Sequence, residues 1–262
     1  AFAAPDAAKI AERKARKSQA VGEKVGKAIG KAYELYGANQ IAEAIAILEP
    51  LEPTNAFDKA YLARFLGSLY VEKNPEKAIK YLKEAIKPDI LSFTDQAAAL
   101  RNLADLSIMA KKYQDAIGYY NKWLDFTGEL DPNVEMRIAN CFYEMKQFNK
   151  VIAPADRAIA HFKEPKKEPY IMKYASYYEL KQTKKVIEVL EEAVVIFPKE
   201  KTFWVQLGNF YSADEQFAKA LAVIDMAYKQ GYLTTENEIK LLANLYNNNN
   251  VPYKAAATLE KH

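Results

Sequence analysis

The sequence contains few of the side chains on which catalysis and covalent cross-linking depend. It has one cysteine, Cys141, and two histidines, His161 and His262, among 262 residues. A single cysteine excludes an internal disulfide and a thiolate metal site, and this stock of side chains builds no Ser-His-Asp, Cys-His or histidine-rich group. We therefore expect no catalytic residue, no metal site and no cofactor, and the chain is predicted not to be an enzyme.

Turn-forming residues and long apolar runs are also scarce. Glycine and proline number only 9 and 11, too few for a β-sandwich with many tight turns. No apolar stretch reaches the roughly 18 residues of a membrane-spanning helix, so none is predicted. Half of the residues are hydrophobic, which is enough to build a sizeable core.

The net charge is small and unevenly distributed. The 37 basic and 34 acidic residues give a formal charge of +3, which is not the balance of a dedicated nucleic-acid-binding protein. Residues 1–36 contain eight basic residues against four acidic ones, so the remainder is close to neutral. A basic arm over residues 1–24 is therefore predicted to precede a neutral body over 25–262.

One short pattern recurs along the neutral body. Its clearest copy is Trp204-Val205-Gln206-Leu207-Gly208-Asn209-Phe210-Tyr211, followed by Ala220, Ile224 and Ala227. This copy resembles the tetratricopeptide signature W-x-x-L-G-x-x-Y, in which a small residue also stands on the second helix of each repeat. That second small position recurs every 34 to 38 residues, as Ala44, Ala78, Ala116, Val151, Val186, Ala220 and Ala255.

A matching column of small residues lies on the first helix of each repeat. It reads Ala32, Gly67, Ala104, Ala139, Tyr174, Gly208 and Ala243. Small residues on both helices let their axes approach closely, and neighbouring repeats bury the remaining apolar stripe. The predicted fold is all-α, a right-handed superhelical solenoid of about seven antiparallel helix pairs. Repeats start near residues 25, 60, 97, 132, 167, 201 and 236, and the first helices are expected near 25–37, 58–72, 95–110, 132–145, 167–180, 201–213 and 235–248.

Three places depart from the regular pattern. Tyr174 stands where a small residue belongs, so its helix is expected to be shifted by about one residue. The 38-residue interval contains Pro88-Asp89-Ile90-Leu91-Ser92-Phe93, a predicted extended connector. The last repeat is incomplete at His262 and shows no polar capping helix, so we expect the natural protein to continue beyond it.

The tetratricopeptide resemblance implies where a partner would bind. In this family the concave surface is lined by the first helices, and an asparagine at their ninth place holds the backbone of an extended peptide. The corresponding residues are Arg64, Ser68, Arg101, Asp105, Asn140, Tyr143, Tyr178, Asn209 and Asn244. Each of them is also explained as an ordinary surface residue. The full set of basic residues that clamps a terminal carboxylate is missing, so an acidic carboxyl-terminal ligand is not indicated.

The amino-terminal segment has two unusual features. Gly22, Gly26 and Gly30 recur every four residues on one predicted helical face, and each interior glycine costs about 1 kcal/mol relative to alanine. They form either a notch for a partner's helix or a contact with the chain's own second repeat. The basic run that includes Arg13, Arg16 and Lys17 is either a solvated helix face or an arm for an acidic partner or an anionic membrane.

Residues 12–70 also resemble a narrower group. The matching segments are Glu12-Arg13-Lys14-x-Arg16-Lys17, Ala20-Val21-Gly22-Glu23-Lys24-Val25-Gly26-Lys27, Ala32-Tyr33-Glu34-Leu35-Tyr36, Phe57-Asp58-Lys59-Ala60-Tyr61 and Arg64-Phe65-Leu66-Gly67. They are similar to periplasmic tetratricopeptide proteins encoded beside TonB–ExbB–ExbD systems of marine gammaproteobacteria. The resemblance implies a non-catalytic adaptor that assists TonB-dependent transport, such as iron–siderophore uptake, with TonB, ExbB or ExbD as partners. The alternative is a general envelope scaffold for outer-membrane or polysaccharide assembly.

The first residues bear on location. Ala1-Phe2-Ala3-Ala4-Pro5 contains the Ala-x-Ala pattern that precedes signal-peptide cleavage, which favours a periplasmic protein. A single cysteine is equally compatible with the cytoplasm, and an artificial start of the sequence explains the same pattern.

Overall fold

The structure is a computed structural model, and it describes residues 6–262. The segment Ala1-Phe2-Ala3-Ala4-Pro5 lies outside the described residues. Within residues 6–262 there are fifteen α-helices, one 3-10 turn at Phe148–Lys150 and no β-strand. The predicted all-α class is therefore confirmed. None of these helices is long and apolar enough to cross a bilayer.

The basic arm contains one short helix, α1 (Ala7–Ala15). The other fourteen helices form seven successive pairs. Their first members are α2 (Glu23–Gly37), α4 (Ala56–Tyr70), α6 (Phe93–Met109), α8 (Pro132–Glu144), α10 (Glu168–Glu179), α12 (Lys201–Ala213) and α14 (Glu236–Asn248). Their second members are α3 (Ile41–Leu48), α5 (Pro75–Ile86), α7 (Tyr113–Thr127), α9 (Ile152–His161), α11 (Thr183–Ile196), α13 (Phe217–Lys229) and α15 (Pro252–Lys261). The first helices lie within about two residues of their expected ends, which is the usual uncertainty of helix boundaries.

The helices of a pair approach closely at the predicted small residues. A Cβ added to Gly67 on α4 would lie 2.8 Å from Cγ of Leu82 on α5, and one added to Gly208 on α12 would lie 2.2 Å from Cδ1 of Ile224 on α13. Both glycines are buried. Glycine at these two positions leaves space that the facing aliphatic side chain fills, so a larger residue would force that side chain to shift.

Tyr174 does break the column of small residues, although the expected one-residue shift is not what the structure shows. Tyr174 is half-buried, and its ring meets the Phe203 ring edge-on at 6.4 Å between centroids. The fully buried small residue of α10 is Ser176, two places further on. The aromatic ring is accommodated in the core of these repeats, where it packs against Phe203 of the next first helix, α12.

The turns inside the pairs share a backbone feature that the sequence patterns did not predict. Six of the seven turns place a residue other than glycine at φ near +60°, namely Asn39, Lys111, Lys146, Lys181, Glu215 and Asn250. The next N–H donates to a carbonyl one turn back in the preceding helix, as in Gln40 N–H to Leu35 O at 2.8 Å. With the bond from Asn39 N–H to Tyr36 O at 2.9 Å, this is the Schellman motif, which satisfies carbonyls that the helix leaves unpaired.

The expected connector between α5 and α6 is present. α5 ends at Ile86 and α6 begins at Phe93, with Asp89 at φ +52° between them. Leu91 is completely buried, and the Ser92 hydroxyl caps α6 by accepting the Asp95 N–H at 3.2 Å. The extra residues of the 38-residue interval thus anchor the connector and start the next helix.

The described chain divides into two compact units, unit 1 up to Val134 and unit 2 over Glu135–His262. Unit 1 has a core in which Leu62, Leu66, Leu82 and Leu103 are buried together. Unit 2 has a core of its own, whose buried members include Leu190, Phe203, Leu207, Ile224 and Leu242. Each unit therefore has the layered helical packing of a repeat protein.

Candidate partner-binding surfaces

A groove of about 750 Å³ lies on unit 1, where three successive first helices end. It is lined by Tyr36 and Gly37 from α2, by Ser68, Leu69, Val71 and Glu72 at the end of α4, by Asn102, Asp105, Leu106 and Met109 from α6, and by Asn39 and Ile41 of the first turn. Because the lining residues recur at the same place in consecutive repeats, the groove follows the repeat direction. We call it the first-helix groove.

The first-helix groove has an apolar floor and exposed apolar edges. Leu69 and Leu106 are buried beneath it. Tyr36 at one edge is 52% exposed and Met109 at the other is 69% exposed. Large apolar side chains beside a concave surface are typical of partner-binding sites, since their burial drives association.

Some polar side chains of the groove already form hydrogen bonds within the chain, and others are exposed. The Asp105 carboxylate accepts a hydrogen bond from the hydroxyl of buried Tyr120 on the neighbouring helix α7. The Ser68 hydroxyl donates to the Arg64 carbonyl at 3.1 Å, one turn back in its own helix. Asn102 and Glu72 are exposed. A side-chain amide supplies both a donor and an acceptor, so Asn102 matches the backbone of a bound peptide.

The two arginines predicted to line a groove are used to connect repeats. Arg64 on α4 forms an ion pair with Asp95 on α6 at 3.6 Å, and its guanidinium lies 5.8 Å from the Tyr61 ring. Arg101 on α6 pairs with Asp131 just before α8 at 3.5 Å and lies 5.1 Å from the Trp123 ring. Neither arginine lines the first-helix groove.

In unit 2 the predicted residues are less uniform. Asn209 and Asn244 are exposed, whereas Asn140 is half-buried. Tyr143 packs edge-on against Phe148, and Tyr178 packs edge-on against Phe210 while remaining 60% exposed. The proposed contact of these five residues with a partner stays a prediction.

Sequence reasoning named two of the twelve residues that line the first-helix groove, Ser68 and Asp105, and missed the other ten, among them Tyr36, Asn102 and Met109. Tyr36 and Met109 could have been found from the sequence, because each is an apolar residue on the solvent side of an amphipathic helix near its carboxyl end. Asn102 lies one residue after the position that family resemblance selected, Arg101, and only the tertiary structure shows which of the two faces the groove.

The basic arm is folded back on unit 1. Arg13 donates to the carbonyl of Asp125 at 2.8 Å and to that of Phe126 at 3.3 Å, near the carboxyl end of α7, and Arg16 donates to the Asp89 carbonyl and carboxylate at 2.8 and 2.9 Å. Both guanidinium groups lie over the Phe126 ring, at 5.3 and 5.5 Å. The two arginines are thus bound within the chain, whereas Lys17 is exposed.

The three glycines do not share one helical face. Gly22 precedes α2, and its N–H donates to both carboxylate oxygens of buried Asp58 at 3.2 Å. Gly26 and Gly30 are on α2 and exposed, and among the described residues no side chain or neighbouring backbone lies within 4 Å of an added Cβ. Of the two alternatives, contact with the chain's own second repeat is seen at Gly22 and not at Gly26 or Gly30, and binding of a partner's helix stays a prediction.

Cys141 has the environment of a core residue. It is completely buried, and burial, with a smaller effect from Glu144, raises the pKa of its thiol to about 11. The thiol is therefore protonated at neutral pH, when it is a poor nucleophile. Over residues 6–262 there is no group of three or more His, Cys, Asp or Glu side chains placed to hold a metal ion.

Comparison with known proteins identifies the fold. No protein-family description and no curated protein sequence matches the chain. Among solved structures, a tetratricopeptide repeat protein from Parabacteroides merdae is 16% identical with a TM-score of 0.51 over 92% of both chains. A structure of MamA (AMB-1) is 16% identical with a TM-score of 0.52, over 67% of this chain and 93% of that chain. Such identities establish the fold alone, and the chain has a tetratricopeptide-like helical-repeat fold.

Proposed function

We propose that this protein is a non-catalytic scaffold that binds other proteins, with the first-helix groove as a binding surface for an extended peptide. The observation that carries the proposal is a concave groove that crosses three consecutive repeats, with Tyr36 and Met109 exposed at its edges. The tetratricopeptide-like fold of the compared structures agrees with a scaffold role. A peptide would bury the two edge residues and bond its backbone to Asn102.

Site-specific photo-crosslinking tests this proposal. A photoreactive phenylalanine analogue replaces Met109 in the full chain, and its matched control stands at Val195, an exposed apolar residue of α11 in unit 2. We expect one native partner to be captured from Met109 and not from Val195. Met109→Asp should then weaken binding of that purified partner at least tenfold, since a carboxylate is poorly accommodated in an apolar contact. Equal capture at both positions contradicts the proposal.

The amide residues of unit 2 form a second, separable element of the proposal. Asn209 and Asn244 are exposed and, with Asn140, occupy equivalent places in their repeats. The triple substitution of these asparagines by alanine should weaken the captured partner without unfolding the chain. An unchanged affinity restricts the binding surface to unit 1.

We propose further that the scaffold is a periplasmic adaptor of a TonB-dependent transport system, with TonB, ExbB or ExbD as its partner. The support is the resemblance of residues 12–70 to such adaptors and the Ala-x-Ala pattern at residues 1–3. Deletion of the gene should reduce TonB-dependent uptake of a ferric siderophore, and complementation should restore it, while TonB-independent transport stays unchanged. Normal siderophore uptake in the deletion strain, or a natural gene without a signal peptide, contradicts this assignment.

The alternative is a general envelope scaffold for outer-membrane or polysaccharide assembly. The same helical-repeat fold supports it, because the fold does not specify the partner. A gene neighbourhood without TonB and ExbB genes favours this alternative, as does an assembly defect in a deletion strain that takes up siderophores normally.

A further inference from the structure

A second concave site lies on unit 1, away from the first-helix groove. It is a cleft of about 490 Å³ between α5, the connector, α6 and α7, with α1 along one side. Its lining residues are Arg13, Lys83, Ile86, Lys87, Asp89, Gln96, Leu100, Tyr119, Lys122, Asp125 and Phe126. The cleft shares no residue with the first-helix groove. We call it the basic cleft.

The two acidic residues of the basic cleft are already paired with the arm. Asp89 is bound by Arg16 at 2.9 Å, and Asp125 lies 3.7 Å from the Arg13 guanidinium. The basic cleft also contains three lysines, Lys83, Lys87 and Lys122. None of the ion pairs found among residues 6–262 involves these three lysines, and Lys122 lies 5.5 Å from the Tyr119 ring. Because both acids that line the cleft are paired with the arm arginines, the three lysines have no acidic partner among the lining residues.

Gln96 provides a second and independent indication of a ligand. Its side chain is only 4% exposed, and its Nε2 donates to the Ile86 carbonyl at 3.1 Å. That bond fixes the orientation of the amide, because a flipped amide would place two acceptors together. Oε1 is buried and has no hydrogen-bond donor within the described residues. A buried acceptor without a donor is unfavourable, and a ligand N–H would satisfy it once a side-chain movement at the cleft wall uncovers the oxygen.

The remaining surface of the basic cleft selects the kind of ligand. Ile86, Leu100 and Phe126 give it an apolar lining. An adjoining cavity of about 410 Å³ shares Lys83 and Lys87. It is also lined by Lys80 and Glu84 and by Lys112 and Glu76, which form an ion pair at 3.0 Å. Basic residues outnumber acidic ones by four to two around this adjoining cavity, so the excess of positive charge extends beyond the basic cleft.

We propose that the basic cleft binds an acidic segment of a partner protein in extended form. Its carboxylates contact Lys83, Lys87 and Lys122, a backbone N–H donates to Oε1 of Gln96, and an apolar side chain covers Leu100 and Phe126. A phosphate is less well matched, because the fork-shaped arginine groups that grip phosphate are bound to Asp89 and Asp125. A bilayer is less well matched because the apolar residues are recessed, so insertion is blocked. This binding is independent of what occupies the first-helix groove.

The test measures binding of a defined peptide to the full chain. A fluorescein-labelled Asp-Glu-Leu-Asp-Glu peptide is titrated with protein at low ionic strength, and fluorescence anisotropy gives the Kd. We expect saturable binding that weakens as salt is added. The uncharged peptide Asn-Gln-Leu-Asn-Gln should bind at least about tenfold more weakly, because three lysine contacts are lost.

Matched variants locate the peptide. The triple variant Lys83→Gln, Lys87→Gln, Lys122→Gln should bind the acidic peptide at least about tenfold more weakly. The control variant Lys184→Gln, Lys199→Gln, Lys261→Gln changes three exposed lysines of unit 2 by the same chemistry and should keep the original Kd. Gln96→Met should weaken binding about threefold through loss of the acceptor, and circular dichroism verifies that each variant is folded.

Several outcomes overturn the proposal. They are absence of peptide binding, an unchanged Kd in the cleft variant, or an equal loss in the control variant. Tighter binding of single-stranded RNA, or of phosphatidylserine vesicles, through the same three lysines assigns the cleft to a different class of partner and overturns it as well. The Met109→Asp variant should bind the acidic peptide at the basic cleft with an unchanged Kd, even where it loses binding at the first-helix groove. The two proposals are therefore tested independently of each other.

Discussion

The arm and the repeat helices are held in place by different forces. The repeat helices pack through buried aliphatic and small side chains such as Leu82, Gly67 and Leu103. Helix α1 buries no residue completely, and it is fixed by arginine hydrogen bonds, ion pairs and contact with the Phe126 ring, together with one half-buried apolar side chain, Ile10, beside Gly128. Apolar burial stabilises more than partly exposed ion pairs do. The repeat body is therefore expected to set global stability, and the arm to be an element that opens locally.

The largest effect is expected from a cavity in the repeat core. Leu82 is 1% exposed and faces Gly67 across the α4–α5 pair. Leu82→Ala should lower the free energy of unfolding of unit 1 by about 3 kcal/mol, through lost burial and the cavity that remains. Urea denaturation followed by circular dichroism measures it. Deletion of residues 6–15 should cost less than about 1 kcal/mol, and an equal cost for both changes would remove the contrast between arm and body.

A smaller but still clear effect is expected from overpacking in unit 2. Gly208→Val forces side-chain atoms into the space of Ile224, and we expect a loss of about 2 kcal/mol in the free energy of unfolding. Gly118→Ala on α7 is the matched control, since no neighbouring atom lies within 4 Å of the added Cβ within residues 6–262. The control should gain about 0.5 to 1 kcal/mol from helix propensity. Destabilisation by both changes would indicate a general intolerance of these helices to added volume.

The arm itself is tested by removal of its two arginine contacts. The double variant Arg13→Gln, Arg16→Gln should leave global unfolding within about 0.5 kcal/mol while amide hydrogen exchange in α1 becomes faster. A nine-residue helix is marginal without its docking contacts. The matched control, Lys9→Gln with Lys14→Gln, changes exposed residues of the same helix and should preserve the protection. Equal loss of protection in both variants would show that net charge, and not the specific contacts, holds the arm.

The smallest effect concerns pH, at a polar contact inside the repeat body. Oε1 of Glu49 accepts the hydroxyls of Tyr70 and Tyr81, at 2.7 and 3.0 Å. Desolvation, followed by the hydrogen bond to Glu49, raises the pKa of each tyrosine from 10.0 to about 12. A raised pKa gives stability that is complete below pH 10 and is lost as pH rises toward 12. The urea midpoint should fall over this interval, and the Tyr70→Phe, Tyr81→Phe variant should show a weaker fall.

The hydrogen bonds between Glu49 and the two tyrosines also make stability depend on pH in the acidic range. Hydrogen bonding from Tyr70, with smaller contributions from Tyr81 and Lys77, holds the pKa of Glu49 below its usual 4.5 despite partial burial. A lowered pKa gives stability that is present above 4.5 and is lost as pH falls. Glu49→Gln should therefore reduce the acid sensitivity of unit 1, measured as the urea midpoint between pH 6 and pH 3. An unchanged acid profile would assign this sensitivity to other carboxylates.

The predicted fold followed from local regularities. Small residues such as Gly67 and Gly208 recur at the repeat interval because the two helices of each repeat approach closely at these places. Every repeat has the same close contact, so the sequence repeats with it. The candidate site was less predictable. Residue types at helix positions selected Arg64 and Arg101, and the structure instead uses both arginines for ion pairs between repeats.

The sequence by itself determined the helical class, the repeat interval and the helix ends, since helix periodicity and turn residues act over a few residues. The tertiary structure alone decided where the arm lies and which side chains form the two concave sites. Arg13 meets the Phe126 carbonyl across 113 residues of sequence, and the unpaired acceptor of Gln96 exists only because Ile86 fixes its amide. Such contacts depend on the packed arrangement of several helices, and no local pattern specifies them.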